Sequence, residues 1–173
     1  MVNWSISAGS ADFDTLTRIP PRLLLDPAHC LSLGFGAGLS PVAPGTAGTL
    51  VAVPLYLALA QLAWPWYLAI VVIGFAAGIW LCGYTSKALG EHDHGGIVWD
   101  EIVGMYVTLL VAPVTIVGFV LAFVLFRVMD IVKPWPIRDL DHRLGGGLGI
   151  MLDDLAAALY AALLLALYGW LMT

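Results

Sequence analysis

The sequence predicts an all-α fold: a polytopic helical membrane protein with two apolar hairpins, a C-terminal span, and charged loops gathered on the cytoplasmic face. Three observations carry this. First, 61% of the 173 residues are hydrophobic and 11% are charged, with a mean hydropathy of +0.93. A soluble domain has ~25% charged residues. Second, all nineteen Asp, Glu, Lys and Arg residues fall in three windows: five in 1–26, five in 87–101 and nine in 127–154. A charged side chain at the bilayer centre costs roughly 2.5–3.5 kcal/mol. The uncharged blocks 27–86, 102–126 and 155–173 are therefore the membrane blocks. Third, prolines and tryptophans divide these blocks into helix-length arms.

The length fits one domain, 1–173, with residues 1–26 as a loose polar arm that Pro20-Pro21 keeps from being helical. No apolar h-region marks a secretory signal in that arm. A net charge of −5 with no basic cluster points away from nucleic acid. Cys30 and Cys82 have no CxxC or metal-type spacing and read as reduced and inert.

Asp26-Pro27 opens a short helix, with Asp as N-cap and Pro at the first helical position, running to Leu33 and stopping at Gly34. Residues 34–49 read as a Gly/Pro/Ser/Thr loop without regular period. Its N–H groups and the hydroxyls of Ser40 and Thr46 suit an anion at the start of the next helix; otherwise it is an ordinary connector. No Gly-Lys-Ser/Thr follows, so it is not a Walker loop. Residues 49–63 and 66–84 form the first hairpin, around the turn Trp64-Pro65-Trp66 with its interfacial aromatics.

Ile102 to Phe126 is one span or a second hairpin broken at Pro113. A hairpin is preferred, because it returns Asp100-Glu101 and Arg127-Asp130 to one face and puts all seven Lys and Arg on the cytoplasmic side. Its arms are short for a ~30 Å hydrocarbon core, so it reads as re-entrant or packed inside the first. Lys133-Pro134-Trp135-Pro136 ends a helix, and Gly145 to Gly149 reads as a flexible loop. Asp153-Asp154 then open a final span, Leu155 to Met172, where carboxylates suit the positive helix end.

Five carboxylates, Asp100, Glu101, Asp130, Asp153 and Asp154, thus stand at helix ends on one face. Oxygen-only ligands favour Mg²⁺ or Mn²⁺. The plain alternative is that they mark wet helix ends. Arg127, Asp130 and Lys133 share one helix face. Arg127 and Lys133 are suited to phosphate oxygens, or else to pairing with Asp130. Arg138, Asp139, Asp141 and Arg143 read as a solvated, mutually paired segment. His92, Asp93 and His94, in a Gly-rich loop, are weak candidates for metal ligand or general base. There is no Cys-x5-Arg loop, no Asp-x-Asp after an apolar strand and no Gly-x-Ser-x-Gly elbow. Chemistry led by carboxylates and metal remains.

Four stretches occur together in family order: Gly38-Leu39-Ser40-Pro41 with Ala43-Pro44-Gly45-Thr46; Val98-Trp99-Asp100-Glu101; Phe126-Arg127 with Asp130 and Lys133-Pro134-Trp135-Pro136-Ile137; and Gly149-Ile150-Met151-Leu152-Asp153-Asp154. They resemble the phosphatidylglycerophosphatase A family. The sequence departs from the family at Val42, often Lys there, and at Ala47, often aromatic. The resemblance implies an all-α, Mg²⁺-dependent lipid phosphatase of the bacterial inner membrane. It implies phosphatidylglycerophosphate as substrate. It further implies Asp100, Glu101, Asp130, Asp153 and Asp154 as catalytic carboxylates, with Asp100, Glu101, Asp153 and Asp154 as metal ligands. Arg127 and Lys133 are implied as phosphate contacts. An ion-coupled transporter using the same carboxylates, and a structural subunit that docks a partner, are the competing readings.

Overall fold

A computed structural model describes residues 19–135, 137 and 145–172, and these are all-helical, with no strand. The arm before Ile19, and the segment holding Arg138, Asp139, Asp141 and Arg143, lie outside the described residues. The arm's end is not loose: Ile19 is buried and Pro21–Leu25 is a 3-10 turn.

Helix α1 is Pro27–Ser32. Asp26 Oδ1 caps it, accepting from Ala28 N–H at 2.8 Å and His29 N–H at 3.4 Å, as the Asp-Pro pair predicts. A 3-10 segment, Gly34–Leu39, follows. Helix α2 is Pro44–Leu59, so it starts five residues before the expected position. Proline fits that first turn, where its missing N–H has no intrahelical role. Helix α3 is Trp64–Leu89, absorbing the expected Trp-Pro-Trp turn in the same way and ending at left-handed Gly90. Helices α4, Trp99–Leu109, and α5, Ile116–Val132, are separated at Pro113 as the hairpin reading requires. Lys133 ends α5 in a left-handed conformation.

Helix α6, Gly146–Met172, is the axis of the bundle and packs against α3, α4 and α5. Two expectations are corrected here. Gly146 to Gly149 belong to the helix, not to a loop. A Cβ at Gly147 would strike the carbonyl of Ile79 on α3, so the glycine lets the two backbones touch. Asp153 and Asp154 therefore stand two turns inside α6, buried, rather than at its positive end.

The first hairpin is also corrected. Its arms meet near the turn, where the Tyr56 and Tyr67 rings lie 5.8 Å apart, and then diverge. Helix α4 packs against both arms, between them. Nearly all of α4 is buried, and at eleven residues it is too short to span a bilayer. Its last turn tightens: Leu110 N–H bonds to Val107 rather than to Tyr106. The Tyr67 hydroxyl donates to the freed Tyr106 carbonyl at 2.7 Å.

Among the described residues, two helices, α3 and α6, are long and apolar enough to cross a membrane. Their outer faces are hydrocarbon: Ile73, Leu163 and Trp170 are each more than half exposed.

Candidate active site

Five segments converge where α4 begins. The Val98 N–H donates to Ser32 O at 2.9 Å, and the Trp99 indole N–H donates to Gly74 O at 3.0 Å. These bonds fix the first turn of α4, so Asp100 and Glu101 project inward. From α6, Asp154 meets them. One oxygen of each of the three lies within 4.8 Å of the others. A small residue makes this approach possible: a Cβ at Gly104 would collide with the Phe126 ring and lie 3.3 Å from Asp154 O.

Helix α5 supplies the cation. Arg127 Nη1 lies 2.6 Å from Asp130 Oδ2 and 3.7 Å from Glu101 Oε1. Asp130 thus joins the site, paired with Arg127 and standing beside Asp154. The left-handed turn at Lys133 brings its ammonium onto Asp153 Oδ2, to which it donates. Lys133 is thereby tied to a carboxylate beside the trio.

The trio is short of partners. Asp100 Oδ1, Glu101 Oε2, Asp154 Oδ2 and Arg127 Nε are buried without a hydrogen-bond partner among the described residues. Burying unpaired charge is costly, so the acids resist ionising. Burial, then the neighbouring Glu101, pushes Asp100 well above the usual carboxylate range. Burial and then Asp154 push Glu101 up to about 8, although Arg127 pulls the other way. Such oxygens suit a divalent cation, which supplies the compensating charge.

The loop motif contributes differently from expectation. Ser40 does not join the trio. Its hydroxyl donates to Val42 O at 2.8 Å, and the residue lines a separate cavity of about 800 Å³ with Pro44 and His94. Thr46 lies in the first turn of α2. Gly45, beside it, was not singled out by sequence reasoning, yet it abuts the site. A Cβ there would strike Glu101 Oε1 and lie 3.0 Å from Arg127 Nη1. Its signal was its place inside Ala43-Pro44-Gly45-Thr46. The histidines organise loops: His92 Nε2 accepts from Gly146 N–H at 2.6 Å, and His94 Nδ1 accepts from Gly96 N–H at 3.0 Å. Both cysteines are free, and Cys82 is buried against Met151.

A family model described as Phosphatidylglycerophosphatase A matches residues 30–168. The Phosphatidylglycerophosphatase A of Escherichia coli (strain K12) is 46% identical over 145 residues, 83% of this chain and 84% of its own. That of Haemophilus influenzae is 43% identical over 152 residues, 86% of this chain and 93% of its own. A Putative phosphatidylinositol-3-phosphatase of Bacteroides thetaiotaomicron is 39% identical over 150 residues, 82% and 93% of the two chains. No solved structure matches. With the family's span covering every residue of the carboxylate site, the chain belongs to the phosphatidylglycerophosphatase A family.

Proposed function

We propose that this protein removes the phosphate monoester of phosphatidylglycerophosphate, giving phosphatidylglycerol and inorganic phosphate. Family membership supports the reaction. The observation that carries the site is the trio Asp100, Glu101 and Asp154, with oxygens within 4.8 Å of one another and one oxygen of each buried without a hydrogen-bond partner among the described residues. These three would hold a Mg²⁺ ion, with Asp153 beside them. The ion, when bound, offsets negative charge on the phosphoryl oxygens. Arg127 offers its guanidinium to the same oxygens, and Asp130 orients it. Lys133 neutralises Asp153, so the excess charge of the carboxylates does not repel the substrate.

The exposed apolar faces of α3 and α6 support a membrane protein; the site is read as facing the cytoplasm of the bacterial inner membrane because that places the Lys and Arg residues inside. The ion-transport reading is not favoured, because two relatives are named phosphatases of this lipid.

The test is phosphate release by the detergent-solubilised protein from phosphatidylglycerophosphate, first with Mg²⁺ and then with EDTA. Phosphatidylinositol-3-phosphate belongs beside it as second substrate, given the name of the third relative. Release that EDTA stops is expected. Folded protein that releases no phosphate from either lipid would overturn the reading. Release that EDTA leaves intact would remove the metal from it.

A further inference from the structure

One cavity lies outside the carboxylate site and carries no polar group. It holds about 260 Å³ between α3, α4 and α6. Its lining includes Leu68, Val72 and Phe75 of α3, Val103 and Val107 of α4, and Leu155 of α6. Val103 and Val107 are buried in its floor, whereas Val72 is 58% exposed at its rim. The cavity thus opens on the apolar outer face of α3.

Its position relative to the site is set by helical spacing. Asp100, Val103 and Val107 recur at i, i+3 and i+7, so one stripe of α4 runs from carboxylate to cavity wall, and Leu110 just past the helix end completes that wall. At 1.5 Å per residue, Val103 and Val107 stand about 5 and about 10 Å along α4 from Asp100. On α6, Leu155 directly follows Asp154. A molecule with a phosphate at the carboxylates and a hydrocarbon chain below it has both ends accommodated by neighbouring turns of the same two helices.

We propose that this cavity is the acyl-chain subsite of the lipid substrate; the proposal rests on the lipid-phosphatase reading above. An acyl chain fills an otherwise poorly contacted space and restores dispersion contacts to its lining. Leaving the bilayer for this cavity gains a chain little, because lipid tails are as apolar as Leu. The subsite therefore acts by alignment. A chain seated between Val72 and Val107 fixes the depth and rotation of the headgroup, and small misplacements of a reacting group slow turnover steeply.

The experiment uses phosphatidylglycerophosphate carrying a diazirine on one acyl chain, photolysed on the full-length protein in detergent micelles, with labelled peptides located by mass spectrometry. Labels are expected on cavity residues of α3 and α4. Unlabelled phosphatidylglycerophosphate should displace them and phosphatidylcholine should not. In parallel, Val72→Trp, which fills the rim, should reduce the kcat/KM advantage of long-chain over short-chain substrate by about tenfold. Ile73→Trp, on the adjacent outward-facing position, should leave that advantage unchanged. Labels scattered over the outer faces of α3 and α6, or displaced equally by phosphatidylcholine, would make the cavity ordinary lipid contact and overturn the proposal. So would an unchanged chain-length preference in Val72→Trp. Failure of the underlying reading looks different: the wild-type protein then releases no phosphate from either chain length.

Discussion

Glu101 stands between a guanidinium and two carboxylates, and its environment makes two predictions. Replacing Glu101 by Gln or Asp154 by Asn keeps the shape and removes a charge from the trio. Phosphate release is expected to fall at least a hundredfold in each, while circular dichroism and elution in detergent stay those of the parent. Normal turnover in either variant would remove that residue from the site. The second prediction concerns pH. Glu101 would release its proton near 4.5 in an ordinary setting and near 8 in the fold. Between those values the folded chain binds more protons than the unfolded one, so metal-free stability falls as pH rises through the window. Melting in EDTA should drop from pH 5 to 8, and added Mg²⁺ should flatten the slope. The acids were legible in the sequence because carboxylates beside apolar blocks are costly unless used. Gly45 was not, since its role depends on Glu101, far away in the chain. Gly45→Ala should cut turnover by about tenfold or more without unfolding the protein, as its Cβ displaces the Glu101 carboxylate.

Elements were read well where apolar runs and breakers agree. The Asp26-Pro27 start, the break at Pro113 and the stop after Val132 all appear in the structure. The reading failed where glycine is used for packing. Residues 145–149 look like a flexible loop by composition, yet four of them open α6. Glycine costs a helix about 1 kcal/mol relative to alanine. Here the cost is offset by the contact of α6 with α3, which local sequence cannot reveal. Gly147→Val is therefore expected to destabilise the fold by roughly 1–3 kcal/mol through overpacking. A lowered melting temperature in detergent would register this. An unchanged one would mean that α6 and α3 are not in backbone contact.

At the scale of the whole molecule, composition indicated a polytopic membrane protein, and two helices of spanning length among the described residues fit it. Packing order was beyond it, because a hairpin in sequence need not be a hairpin in space. Helices α2 and α3 part to admit α4, a choice made by burial of α4 rather than by the turn. Membrane embedding is checked by cysteine labelling of intact membranes in a Cys30→Ser background. Leu163→Cys, on the outer face of α6, should resist a water-soluble maleimide that modifies Lys87→Cys. Equal labelling would place α6 in water. Helix α4 adds a constraint on biogenesis. It ends within the apolar bundle, and its Tyr106 carbonyl is satisfied by a hydroxyl from α3. Left alone in lipid, that carbonyl would have no donor, so a chain emerging from the ribosome has to place Tyr67 before α4 can settle. The order of the helices along the chain supplies that donor first, because α3 precedes α4.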